Sequence, residues 1–140
     1  MKAAIVYESL TGNTEKAANL IAAGLRHAGH HASVQPITRI DYQALADADM
    51  VIVGSWTDGL ILLGQKPGRA GRLKQFPHLA GKRCVVFCTY AIDVGRTLEK
   101  LSKIMEDRGA NVIGGMAIKR TDLDGGARDF VDRLLDAVAV

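Results

Sequence analysis

The sequence has few of the residues that build cross-linked, membrane-spanning or disordered proteins. Its 140 residues include two cysteines, three prolines and one tryptophan, and no apolar run approaches the ~20 residues that cross a bilayer. The amino-terminal apolar stretch is too short for a signal peptide, which predicts a cytoplasmic location. With 48% hydrophobic and 24% charged residues, the composition is that of a globular protein, and the length predicts one domain over residues 1–140. Neither a membrane nor a nucleic acid is expected as a partner.

The two cysteines, Cys84 and Cys88, lie in one apolar run. On a strand they would share a face about 13 Å apart, which exceeds the ~7 Å between Cα atoms that a disulfide spans. We therefore expect two buried, reduced thiols. No cysteine spacing typical of a metal site occurs, and no metal is expected.

Acidic side chains are absent from residues 59–92, although the whole chain has a net charge of only +3. The same stretch holds six basic residues, which are Lys66, Arg69, Arg72, Lys74, Lys82 and Arg83. Two interpretations remain open. The stretch is either an ordinary solvated surface or a docking surface for an anionic partner.

Short apolar runs alternate along the chain with longer helical patterns. Continuous runs such as 50–54 and 84–88 predict strands buried on both faces, and the run 112–118 is interpreted in the same way. An alternating run at 32–36 ends at a proline and predicts an edge strand. Together with 3–7, these runs predict a doubly wound, five-stranded parallel sheet in the order 2-1-3-4-5, with helices on both faces.

The helical patterns have boundaries that the sequence also indicates. Apolar spacing predicts helices over 13–28, near 42–45 and over 127–138, and Asp93 is a candidate N-cap for a helix that ends at Gly109. The glycines and proline of residues 64–76 predict a long loop with at most a short helix.

Ligands of such sheets bind beyond the carboxyl ends of the strands, where the strand order reverses. The first loop at that point combines three hydroxyls, a glycine and the start of a helix, a combination that suits a phosphate. It lacks a P-loop lysine and a G-x-G-x-x-G pattern, which favours a monophosphate held by neutral donors. The predicted phosphate-binding residues are Ser9, Leu10, Thr11, Gly12, Asn13 and Thr14.

Residues 5–21, with the sequence IVYESLTGNTEKAANLI, resemble the phosphate signature of the flavodoxin family. The signature's aromatic falls on Tyr7, and its hydroxyls fall on Ser9 and Thr14. The resemblance, to the short-chain members, implies FMN as cofactor and a role as an electron carrier between redox partners. Two alternatives stay open: a flavodoxin-like reductase of a small, quinone-type substrate, and an interaction module that has lost FMN.

The resemblance also assigns roles in the loops that follow the next two central strands. It implies that Trp56 stacks on the flavin and that the peptide between Asp58 and Gly59 flips to accept a hydrogen bond from the reduced flavin. Tyr90 departs from the family pattern because it comes early and lacks preceding acids. The implied flavin contacts are Ser55, Trp56, Thr57, Asp58, Gly59, Thr89, Tyr90 and Ala91.

Carriers of this family are typically acidic around the flavin, and the basic stretch departs from that pattern. Four of its residues closely follow the Trp56 loop, which predicts that they lie near the rim of the flavin crevice. We therefore expect an acidic redox partner to dock near Lys66, Arg69, Arg72 and Lys74.

Overall fold

Strands and helices alternate along the chain in the computed structural model, which describes residues 1–58 and 64–139. The loop predictions for Gly59 therefore lie outside the described residues. The elements are β1 (Lys2–Tyr7), α1 (Asn13–His27), β2 (His31–Pro36), α2 (Tyr42–Asp47), β3 (Met50–Asp58), β4 (Lys66–Pro67), α3 (Ala70–Leu73), β5 (Arg83–Tyr90), α4 (Thr97–Asp107), β6 (Asn111–Lys119) and α5 (Leu123–Val138), with a 3₁₀ turn at Ile37–Arg39.

The sheet has the predicted order. Its path is β2-β1-β3-β5-β6, and every neighbouring pair on that path is parallel. The two residues of β4 form a short antiparallel ladder with the end of β3, off this path. Counted without β4, the order of the described parallel strands is 2-1-3-4-5, as the alternation of strands and helices predicts.

Alternate residues of each central strand enter two separate cores. Ile5 and Ile52 face a core closed by α1 and α5, where the rings of Phe87 and Phe130 meet edge to face at 5.9 Å. Val6 and Val53 face the other core, which α2, α3 and α4 close. Because both faces of these strands are buried, their sequences are continuously apolar.

Two helix starts differ from the predictions, and one of them is that of α5, which begins at Leu123 rather than at residue 127. Helix α4 begins at Thr97 rather than after Asp93. Gly95 has φ +55°, and this left-handed residue turns the chain between Asp93 and the helix, so Asp93 cannot cap it. Residues 64–76 form the expected loop with a short helix, the four-residue α3.

The last strand, β6, is not buried on both faces. Eight of its nine residues are exposed or half-exposed and only Ile118 is buried, while Ile113 is 43% exposed. The sheet order places β6 at the edge, and the register shifts where Val112 faces Cys84 and Gly114 faces Val85. A continuous apolar run does not by itself separate a central strand from such an edge.

Candidate functional site

The loop between β1 and α1 is organised by one hydroxyl. Ser9 Oγ accepts hydrogen bonds from the backbone N–H groups of Gly12, at 3.2 Å, and Glu15, at 3.4 Å. Gly12 has φ +94°, a left-handed conformation that glycine adopts at little cost. The loop therefore turns sharply into the helix.

The start of α1 leaves several backbone donors open. Among the described residues, no protein acceptor receives the N–H groups of Leu10, Thr11, Asn13 and Thr14. The first N–H groups of a helix have no partner within it, and the helix dipole makes them a favourable site for an anion. A Cβ at Gly12 would meet nothing within 4 Å, so the space beside the loop is open. These features fit a phosphate group.

Thr14 joins this loop to the end of β5. It is 1% exposed, and its Oγ1 lies 3.0 Å from Thr89 Oγ1, where either hydroxyl can donate. The parallel register brings the ends of β1, β3 and β5 to one edge of the sheet. The contact shows that the first and third predicted loops lie side by side.

A cleft of about 200 Å³ opens at this edge. Nine of the fourteen predicted site residues line it, together with one that was not predicted. The lining residues are Leu10, Thr11, Asn13, Thr14, Trp56, Thr57, Thr89, Tyr90, Ala91 and Arg120. Of the other predicted residues, Ser9, Gly12, Ser55 and Asp58 do not line the cleft.

The predicted loop after β3 is largely strand. β3 continues through Asp58 because Thr57 and Asp58 pair with Pro67 and Lys66. Ser55 is fully buried, and its Oγ donates to the carbonyl of Gly68 at 2.9 Å. Ser55 thus holds the returning chain against β3.

Trp56 is half-buried between the cleft and this returning chain. Its carbonyl accepts the N–H of Gly68 at 2.8 Å, and a Cβ on Gly68 would overlap the indole. The guanidinium carbon of Arg69 lies 5.6 Å from the ring centroid, within the range of a cation–π contact. The indole therefore packs on Gly68 and Arg69 and also contributes to the cleft wall.

Thr57 contributes a buried polar atom to the cleft. Its Oγ1 has no hydrogen-bond partner among the oxygen and nitrogen atoms of the described residues. The Thr57 hydroxyl contacts the Cys88 thiol, and this contact partly offsets the rise that burial causes in the pKa of Cys88. A thiol is, however, a weak hydrogen-bond partner. A buried hydroxyl without a strong partner costs about 1–3 kcal/mol.

Arg120 is the one lining residue that was not predicted from the sequence. It directly follows β6, and its N–H donates to the carbonyl of Tyr90 at 2.9 Å. The carboxyl ends of parallel strands meet at one edge, so the residue after the last strand was a candidate on topology alone. It brings a positive charge to a cleft otherwise lined by neutral residues.

Glu8, which directly follows β1, is buried and paired. Its side chain is 4% exposed, and its two carboxylate oxygens lie 2.9 Å from Arg69 Nη1 and 3.1 Å from Arg72 Nη1. Arg69 adopts a left-handed conformation, with φ 50° and ψ 47°, which costs a residue with a Cβ about 1–2 kcal/mol. Two of the four predicted docking residues are thus exposed but ion-paired with Glu8.

The two cysteines are free and buried, as predicted. Burial raises the pKa of each thiol to about 12. Thiolates are therefore scarce at neutral pH, and neither cysteine is an activated nucleophile.

Two further features concern the described residues as a whole. None of their helices has the length and apolar character needed to cross a membrane. Within residues 1–58 and 64–139, no group of three His, Cys, Asp or Glu side chains could hold a metal ion.

Comparison with known proteins agrees with this geometry. The profile of the flavodoxin domain family matches residues 4–119. A flavodoxin of Clostridium beijerinckii is 26% identical over 128 residues, which cover 91% of this chain and 93% of that protein. A flavodoxin of Megasphaera elsdenii is 31% identical over 110 residues, covering 79% and 80%.

Solved structures give the same result. Oxidised flavodoxin 2 of Bacillus cereus superposes with a TM-score of 0.74 at 25% identity, over 98% of this chain and 99% of that one. The two-electron reduced flavodoxin of Megasphaera elsdenii superposes with a TM-score of 0.67 at 25% identity, over 91% and 98%.

These matches define the class of protein. The chain belongs to the flavodoxin family. It is an FMN-binding, flavodoxin-like electron-transfer protein.

Proposed function

We propose that FMN binds in the cleft, with its phosphate on residues 9–14 and its ring system beside Trp56 and Tyr90. The observation that carries this proposal is the group of open N–H donors at the start of α1. The unsatisfied hydroxyl of Thr57 and the exposed side chain of Leu10 line the same cleft. A polar and an apolar contact for the cofactor are therefore available beside the anion site.

Other site residues would act on the cofactor indirectly. Ser9 organises the loop and keeps its own hydroxyl proton for the phosphate. Ser55 holds Gly68 and so supports Trp56. FMN, when bound, supplies the one-electron chemistry, while these residues position it.

We also propose that the chain passes electrons to an acidic protein partner. The basic groove lies between β4, α3 and α4 and has a volume of about 740 Å³. Its five cationic side chains are exposed and outnumber its three acidic ones, Glu99, Glu106 and Asp107. The cations are Lys66, Lys74, Arg96, Lys100 and Lys103.

The groove refines the docking surface that the sequence predicts. Arg69 and Arg72 pair with Glu8, so Lys66 and Lys74 carry more of the free charge. Arg96, just before α4, and Lys103 pair with acids of α4, at 2.9 and 3.0 Å. Such exposed pairs contribute little to stability and can exchange for partner contacts. Because Pro67 of the groove pairs with Thr57, which lines the cleft, the groove adjoins the proposed flavin site.

Small redox ions of opposite charge test the field at this rim. Stopped-flow reoxidation of the reduced holoprotein by ferricyanide, an anion, should slow as salt rises toward ~0.15 M. Reoxidation by hexaammineruthenium(III), a cation, should quicken. The double variant Lys66→Glu and Lys74→Glu should weaken or reverse both trends and leave FMN affinity unchanged.

The matched control reverses two charges at the amino ends of the strands, which is the end of the sheet opposite the cleft. Lys2 and Arg83 begin their strands, so Lys2→Glu with Arg83→Glu should leave both trends as in the wild type. If the two reversals act alike, the effect is one of net charge, and docking at the basic groove is wrong.

A further inference from the structure

Arg69 has a left-handed backbone conformation, with φ 50°, that is unfavourable for a residue with a Cβ. A left-handed backbone favours glycine, yet the chain has arginine there. Such conformations persist where surrounding interactions determine them, and they cluster at functional sites. At this position the backbone carbonyl accepts the N–H groups of Arg72 and Leu73, and the side chain makes further contacts.

Two partners hold the guanidinium. Glu8 Oε1 lies 2.9 Å from Arg69 Nη1, and a buried carboxylate of this kind needs a cation beside it. The same guanidinium lies over the Trp56 ring, with its central carbon 5.6 Å from the centroid. Arg69 thus connects the residue before the phosphate loop to an aromatic residue of the cleft wall.

We propose that Arg69 is a positioning residue: anchored by Glu8, it holds the Trp56 indole in place before the cofactor arrives. The inference rests on the proposed position of FMN, because it assigns Arg69 a role in that site. Gly68 supports one side of the indole by close approach, and Arg69 completes that support. Pre-ordered contacts raise affinity because less order is lost on binding.

The apoprotein gives a direct measurement. Trp56 is the only tryptophan of the chain, so the tryptophan fluorescence reports on this ring. Arg69→Gln removes the charge, and Glu8→Gln removes its anchor. Both should lower the time-resolved anisotropy of Trp56 and raise its quenching by acrylamide, while Arg69→Lys should restore part of the wild-type values.

The same variants are then titrated with FMN. Arg69→Gln removes the cation–π contact and leaves the Trp56 indole less ordered before binding. It should therefore weaken FMN binding by about 2- to 30-fold. The control Arg83→Gln makes the same charge change at the opposite edge of the sheet and should change neither quantity. Circular dichroism and thermal unfolding identify any variant that fails to fold. Since Arg69 is about 40% exposed, the Arg69 variants keep the test valid if Glu8→Gln does not fold.

Each outcome decides a separate claim. If folded Arg69→Gln keeps the anisotropy and acrylamide quenching of the wild type, the proposal is overturned. It is also overturned if Arg69→Gln lowers the anisotropy of Trp56 but leaves the FMN affinity unchanged. If FMN does not quench Trp56 in the wild type, the proposed flavin position is wrong. The apoprotein comparison would then still decide whether Arg69 holds the ring.

Discussion

The hydroxyl oxygens of Thr14 and Thr89 lie 3.0 Å apart, a contact between residues 75 positions apart in the chain. It is buried, and it ties the start of α1 to the end of β5. Each hydroxyl has one proton and two lone pairs. When one hydroxyl donates to the other, the accepting hydroxyl therefore keeps its own proton and can donate it to a ligand.

Removing the Thr14 hydroxyl should weaken FMN binding. A hydrogen bond to a charged group contributes about 1.5–3 kcal/mol, so Thr14→Ala should lower affinity by about 10- to 100-fold. Titration of apoprotein with FMN, followed by loss of flavin fluorescence, measures it. Thr14→Ser keeps the hydroxyl and should remain close to wild type. An unchanged affinity in Thr14→Ala would remove Thr14 from the site.

Replacing Trp56 should change redox tuning as well as affinity. The face of an aromatic ring is electron-rich, so stacking on it disfavours the anionic reduced flavin. Trp56→Ala should therefore raise the potential of the second one-electron step and weaken FMN binding, with Trp56→Phe in between. Anaerobic titration against reference dyes measures the potentials. If Trp56→Ala leaves both quantities at wild-type values, Trp56 serves only to pack against Gly68.

A methyl group at Gly54 should destabilise the fold. A Cβ there would overlap the ring of Phe87, which is fully buried, and overpacking a core costs about 1–3 kcal/mol. Urea unfolding of Gly54→Ala measures the loss. Gly114→Ala is the matched control, because a Cβ at that strand position meets nothing within 4 Å. Equal stability of the two variants would contradict the packing at Gly54.

Alkaline pH should destabilise the protein through its two thiols. Burial raises the pKa of Cys84 and Cys88 from 9.0 to about 12, so the unfolded chain releases these protons first. The thiols contribute fully to the free energy of unfolding below pH 9.0, the pKa of a thiol in the unfolded chain. This contribution is lost as the pH rises toward 12, the pKa in the folded protein. The free energy of unfolding should fall by up to about 1.4 kcal/mol per pH unit for each thiol.

Urea unfolding at a series of pH values measures this slope. The double variant Cys84→Ala and Cys88→Ala should start from lower stability, because two core side chains are shortened, but should lose less stability with rising pH. Identical slopes in the variant and the wild type would exclude the thiols as the cause.

Local patterns were enough to predict the strand order and the position of the loop between β1 and α1 at the cleft. The apolar strands and the loop from Ser9 to Thr14 are each contiguous in sequence, and the right-handed connection of parallel strands limits the topologies. Nine predicted site residues line one cleft because those strands end at the same edge. Their roles toward FMN stay predictions.

Long-range contacts account for what the sequence did not reveal. β3 runs on through Asp58 because residues 66–67 return to pair with it. Arg69 and Arg72 looked like free surface charge because their partner, Glu8, lies more than 60 positions earlier. The edge strand β6 is as apolar as a central strand, and only the sheet order separates the two.

The sheet also divides the apolar interior into two cores that can vary separately. The core behind α1 underlies the loop of residues 9–14, whereas the core behind α4 underlies the basic groove. Substitutions that share no partners have additive effects on stability. Changes beneath α4 should therefore add to changes beneath α1 without altering them. A lineage could accordingly vary the packing beneath α4 while the packing beneath α1 keeps its sequence.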